Sequence, residues 1–224
     1  MGGTVAAVPP LHRSQKECEA MTNVISPSDD PVAAAHNTPP STRFVFVGFH
    51  ATVDRNSVNK LLAFASAVAA KRPAPKALIL CITSEGGSME AAFYAYEVLR
   101  ALPIGLGTHN LGVVASSANI LFMAGNKRFA APNTGFLLHR TKFPFPGPGT
   151  ISQGELDVVS KNIKSSDDRL VALMAERIDK PKAKVGRWFQ EKMRTAEFAL
   201  EQGIIHEICP LAVGHEDEFV QIVF

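Results

Sequence analysis

The chain has 224 residues, 46% of them hydrophobic and 20% charged, with a formal net charge of +2. That is enough chain for one sizeable core and a tail, and the near-neutral balance gives no electrostatic reason to expect nucleic acid or an anionic membrane as partner. No apolar run is long enough to span a bilayer, and no charged-then-apolar signal pattern opens the chain, so neither membrane insertion nor secretion is indicated. Three cysteines, Cys18, Cys81 and Cys209, stand far apart. They make no disulfide framework and no metal spacing, which suits a reducing cytoplasm and calls for no metal or other cofactor. Cys81 reads as a small buried hydrophobe.

Residues 1–42 contain no Phe, Tyr or Trp and hold six of the fifteen prolines. Such a segment buries too little apolar surface to offset its ordering entropy, so it reads as a flexible tail. Met21 is an alternative start within it. From Phe44 the pattern changes. "FVFVGF" (Phe44–Phe49) reads as a strand, and Asp54–Lys71 as a helix with Leu61, Leu62, Phe64, Ala65 and Val68 on one face. "ALILCIT" (Ala77–Thr83) is apolar throughout, as a strand covered on both faces would be. "SEGG" (Ser84–Gly87) is a turn, and Ser88–Leu102 an amphipathic helix. A strand follows around Ile104–Leu111, and "GVVASSANILFMAG" (Gly112–Gly125) leads through two serines into an apolar helix. Lys127–Arg140 reads as two short strands around a Pro-Asn turn, "FPFPGPG" (Phe143–Gly149) as a loop, and Ile151–Ile178 as a long helix. Strand and helix alternate, so the class is α/β.

Two strand-to-helix junctions carry chemistry. At Gly86 and Gly87 the backbone N–H groups can face a ligand without a Cβ in the way, although a tight turn alone would also use glycine. At Ser116 and Ser117 the plain structural role is helix capping, and the chemical one is a nucleophile. Backbone N–H groups of Gly87 and Ser117 together could form an oxyanion hole. A serine nucleophile needs a base, and seven histidines are available. His12 and His36 lie in the tail, and His215 in the charged run "GHEDE". His206, His50 and His109 read as strand or loop ends. His139 ends the apolar strand "GFLL" just before a loop, a suitable place for a base.

Four blocks, in order, give the stretch from Phe44 to about Ile208 its resemblance. "TSEGGSMEAAFYAYEVLRAL" resembles the Ser-Pro-Gly-Gly-Ser segment and helix of the Clp protease proteolytic subunit, ClpP, in the ClpP/crotonase superfamily. "GVVASSANILFMAG" resembles its Gly-x-Ala-Ala-Ser nucleophile segment. "NKRFAAPNTGFLLHR" resembles the segment that carries the base, and "FQEKMRTAEFALEQGIIHEI" the block that carries the third triad member. The resemblance implies a spiral of ββα units with a long handle helix, and makes 43–224 a ClpP-like peptidase domain. It puts the nucleophile at Ser116, the base at His139 and the orienting acid at Glu191, with Gly87 and Ser117 supplying the oxyanion-hole N–H groups. No metal is implied.

This sequence departs from the family pattern at several points. Glu191 replaces aspartate, Glu85 stands for proline, Arg140 and Thr141 for Gln-Pro after the histidine, and Ala118 for glycine. The segment before Phe44 does not resemble the family's axial loop. The resemblance implies a serine endopeptidase acting on peptides or unfolded protein inside a homo-oligomeric chamber of seven-membered rings, with an ATPase unfoldase as partner. The long helix stands where the family's handle does, and Leu156, Val159, Ile163, Leu170, Leu173 and Met174 suit either a partner-packing face or the chain's own core. Two other functions stay open. One is a non-catalytic ClpP-like structural subunit. The other is a crotonase-like acyl-CoA enzyme, for which no basic cluster marks a CoA site.

Overall fold

The structure is a computed structural model that describes residues 43–142 and 150–224. The expected tail, residues 1–42, and the expected loop at 143–149 lie outside them.

Strand β1 (Phe44–His50) alternates between two apolar faces and is buried along all but its last residue. Val45, Val47 and Phe49 join the main core, while Phe44 and Phe46 meet Ala77, Ile79 and Cys81 of β2 (Ala77–Ser84) on the other face. A parallel strand covered on both sides needs this composition. Helix α1 (Arg55–Ala69) connects β1 to β2 and opens on a capping box, in which the Asp54 carboxylate accepts from Ser57 N–H and the Ser57 hydroxyl accepts from Asp54 N–H. Helix α2 (Met89–Ala101) follows β2, with the Ser88 hydroxyl accepting from Ala91 N–H.

The sheet runs β6 (Lys192–Thr195), β5 (Gly135–Leu138), β3 (Gly105–Ala115), β2, β1, β8 (Glu218–Gln221), with β4 (Lys127–Ala130) and β7 (Glu207–Ile208) off the main path. Its hub is β3 (Gly105–Ala115), longer than the strand read from sequence because it continues to the serine junction. On one side β3 pairs in parallel with β2. On the other, Gly107–Asn110 pair with β4 (Lys127–Ala130) and Val113–Ala115 with β5 (Gly135–Leu138). Asn110 spans the split, its amide donating to Gly135 O and its side-chain oxygen accepting from Gly112 N–H. The two short strands around Pro132 therefore do not pair with each other; each takes a different half of β3. Short helix α3 (Ala118–Met123) is wholly buried.

Long helix α4 (Gln153–Arg177) begins with a Ser152–Glu155 capping box. Leu170, Val171, Met174 and Ala175 enter the chain's own core, whereas Leu156 and Val158 are exposed. Of the apolar positions read from sequence, Leu170 and Met174 are core residues and Leu156 is exposed. Helix α5 (Lys182–Gly186), β6 (Lys192–Thr195), α6 (Ala196–Gln202) and β7 (Glu207–Ile208) close the fold. Gly203 ends α6 at φ 76, in the left-handed conformation that glycine adopts without a Cβ penalty. Beyond them β8 (Glu218–Gln221) lies parallel to β1, an edge that no sequence pattern announced. The architecture is α/β, consistent with the ClpP/crotonase-like fold.

Candidate active site

Strand β3 ends at Ala115, and Ser116 turns the chain with φ 54. A non-glycine residue in that region is strained, and a sharp strand-to-helix turn lifts its side chain clear of the backbone. Ser116 N–H donates to Leu137 O at 3.0 Å, tying the turn to β5. Ser117 holds the N-cap position of α3, but its side chain makes no capping bond. Its hydroxyl is buried with no hydrogen-bond partner among the described residues. The serine pair therefore does not cap the helix through its hydroxyls, contrary to the sequence reading. Asn119 does the tying instead: its amide nitrogen lies 3.0 Å from Ser116 O and 3.1 Å from Leu137 O.

The glycine turn packs directly on this junction. Gly86 has φ 94, and a Cβ there would lie 2.6 Å from Ser116 Cβ and 3.1 Å from Ser117 N. Gly87 has φ 150 and forms a bridge with Val53. Val53 N–H donates to Gly86 O and Ser88 N–H to Val53 O, so the loop after β1 holds the turn from behind. Glu85, the departure from proline, is exposed beside it.

His139 follows β5 and is half-buried. Ala115 pairs with Leu137, so continuing the parallel register sets Ser116 level with Leu138 and His139 one residue further along the neighbouring strand. Among the described residues no hydrogen bond joins the Ser116 and His139 side chains. His139 Nδ1 lies 2.7 Å from Arg140 O. An Nδ1–H donated to that carbonyl leaves Nε2 with its lone pair, the tautomer a general base needs.

Glu191 arrives from the other side. Strands β5 and β6 are antiparallel with Leu138 opposite Lys192, so one further step places Glu191 opposite His139. Glu191 has φ 51, a second strained non-glycine residue at the same end of the sheet. Its carboxylate is paired with Lys142, Nζ to Oε1 3.3 Å, and both side chains are largely exposed.

The other described histidines lie elsewhere. His50 and His215 are exposed. His206 Nδ1 accepts from Arg128 N–H. His109, read from sequence as a strand or loop end, sits fully buried within β3 with its Nε2 3.0 Å from Cys209 O. Burial lowers its pKa to about 4, so it stays neutral at pH 7. Cys81 is buried and its thiol is pushed up to about 12, which leaves it an inert packing group. Among the described residues no cluster of His, Cys, Asp and Glu is arranged to hold a metal, and no helix is long and apolar enough to cross a membrane.

Two polar residues at this end of the sheet escaped the sequence reading. Asn119 is a buried amide inside an apolar run, the one detectable oddity. Asp167 lies in the polar run "SSDDR", yet it is buried against Arg140 and Thr141.

The chain matches the Clp protease family model over residues 40–211. It is 27% identical over 182 residues to the ATP-dependent Clp protease proteolytic subunit 2 of Corynebacterium glutamicum, covering 78% of this chain and 85% of that protein. It is 28% identical over 180 residues to the protein of the same name from Corynebacterium efficiens, covering 77% and 84%. With the family model spanning most of the chain, the protein belongs to the Clp protease family and is a Clp-like serine peptidase.

Proposed function

We propose that the chain is an endopeptidase in which Ser116 is the nucleophile, His139 its base and Glu191 the orienting acid. The observation that carries this is the convergence of two neighbouring strand ends. Ser116 sits in a left-handed turn at the end of β3, and His139 directly follows the end of the neighbouring β5. Ser116 Oγ attacks the peptide carbonyl while His139 Nε2 takes its proton. The developing oxyanion accepts hydrogen bonds from Gly87 N–H and Ser117 N–H. The tetrahedral intermediate expels the amine, which takes the proton from His139. Water, deprotonated by His139, then hydrolyses the acyl-enzyme and frees Ser116. As imidazolium forms, Glu191 exchanges the Lys142 ammonium for the ring opposite it.

The names of the two Corynebacterium proteins, proteolytic subunits of an ATP-dependent Clp protease, support an ATPase partner, and the resemblance to the family motivates the rest of the proposal. Substrates are peptides or unfolded protein. The active particle is a homo-oligomeric chamber of heptameric rings in the cytoplasm, supplied by an ATPase unfoldase. The exposed first half of α4 is the surface free to interlock subunits.

Turnover of a fluorogenic peptide by the assembled protein tests the site. Ser116→Ala and His139→Ala should each lower kcat by about 10³-fold or more, and the double variant should lose no more than either alone, as residues acting as one unit do. Full turnover by Ser116→Ala would refute the assignment. A wild-type particle without turnover toward any peptide would favour the structural-subunit reading.

A further inference from the structure

Asp167 is a buried carboxylate that the mechanism above does not use. It projects from α4 and is only 6% exposed. A carboxylate at that depth persists when donors surround it. Here the donors come from the two residues that follow His139. Asp167 Oδ1 accepts from Thr141 N–H and from the Thr141 hydroxyl, both at 2.8 Å, and Oδ2 lies 3.5 Å from the Arg140 guanidinium. Arg140 is fixed further by a 3.4 Å contact to Gly186 O and by the Phe189 ring, 5.8 Å away.

Thr141 N–H and Arg140 C=O belong to one peptide unit. That unit is planar, so pinning its N–H fixes the direction of its carbonyl. The carbonyl is the group 2.7 Å from His139 Nδ1. A chain of contacts therefore runs from the Asp167 carboxylate through a single peptide to the imidazole. An anionic acceptor on the N–H also polarises the amide and strengthens its carbonyl as an acceptor.

We infer that Asp167 is a positioning residue for His139, holding the imidazole through the Arg140–Thr141 peptide with Nδ1 protonated and Nε2 free. The inference rests on the proposed roles of Ser116 and His139. It ties the inner half of α4 to the catalytic base. It also explains how His139 keeps its tautomer while the Glu191 carboxylate is engaged with Lys142.

The test compares Asp167→Ala and Asp167→Asn in the full-length assembled protein, with kcat normalised to the Ser116 labelled by a fluorophosphonate. Asp167→Ala should lower kcat about 10- to 100-fold and leave KM within about twofold, the pattern of a misplaced catalytic group. Asp167→Asn keeps an oxygen for Thr141 and should recover to within about fivefold of wild type. A normalised kcat for Asp167→Ala within about twofold of wild type would overturn the inference, and so would an equal loss in Asp167→Asn. If Asp167→Ala does not fold, Thr141→Val removes one of the two Thr141 bonds. It should lower kcat several-fold with rescue by Thr141→Ser, and wild-type kcat in a folded Thr141→Val would overturn the inference. Failure of wild-type Ser116 to label would overturn the proposed function, and this inference with it.

Discussion

Gly86 lies against Ser116 so closely that a methyl group on Gly86 would sit 2.6 Å from Ser116 Cβ and 2.7 Å from Ala115 O. The two turns that frame the site are thus packed backbone to backbone. Gly86→Ala must also adopt φ 94, a conformation that costs an L-residue about 1–3 kcal/mol. It should destabilise the protein by at least that amount and push the nucleophile turn aside. Thermal unfolding and kcat/KM measured on one sample check both parts. Wild-type values for both would show that the turns separate freely.

Ser117 makes the opposite prediction from its neighbour. Its hydroxyl is buried without a partner among the described residues, an arrangement that costs about 1–3 kcal/mol. Ser117→Ala removes that hydroxyl and keeps the backbone N–H proposed for the oxyanion hole. It should be as stable as wild type or more so, with turnover within a few-fold. Denaturant unfolding alongside peptide hydrolysis reads both. A loss matching that of Ser116→Ala would mean the two serines have been assigned in the wrong order.

The long helix carries the proposed interlocking surface at one end and a core-facing surface at the other. Leu156 and Val158 are 42% and 57% exposed, whereas Leu170 is 3% exposed. Lysines at 156 and 158 should therefore break up the particle and leave subunits folded. Leu170→Ala should instead destabilise the subunit by about 2–5 kcal/mol through the cavity it opens. Particle mass by light scattering, paired with melting temperature, tells the two effects apart. A particle mass unchanged by the lysines would place the subunit interface elsewhere.

His109 sets a pH dependence of stability. Its pKa is lowered from 6.5 to about 4 in the folded chain because burial disfavours the charged ring. Between those values the unfolded chain binds more protons, so stability rises with pH. The contribution is complete above about 6.5 and is lost as the pH falls toward 4. Denaturant midpoints from pH 7.5 to 4.5 should show this decline, and a folded His109→Gln should show a shallower one. Equal slopes in the two proteins would contradict the neutral, buried assignment.

Much of this was legible in the chain, for physical reasons. The continuous apolar runs "FVFVGF" and "ALILCIT" follow from strands covered on both faces, so β1 and β2 could be read directly. The polar start at Asp54 marks a helix because its side chain satisfies an orphan N–H group within three residues. The placement of Ser116 and His139 just past two strand ends was legible because apolar strand runs stop at each of them. Asp167 was not, since a buried carboxylate looks like a solvated one until the fold brings Thr141 to it. The split of β3 between β4 and β5 was equally hidden, as it depends on pairing across distant segments. His109 was misplaced because a strand boundary read from pattern stopped four residues before Ala115, its true end.

The most direct measurement is adduct mapping with a fluorophosphonate on the wild-type particle and on His139→Ala and Glu191→Gln. A serine reacts with such a probe only when a base and an oxyanion hole activate it. Mass spectrometry should place the adduct on Ser116 alone in the wild type. Labelling should be nearly absent in His139→Ala and strongly slowed in Glu191→Gln, since disrupting the orienting acid of a comparable triad costs roughly 10⁴-fold in turnover. An adduct on Ser117, or labelling of Ser116 at the wild-type rate in His139→Ala, would contradict the account.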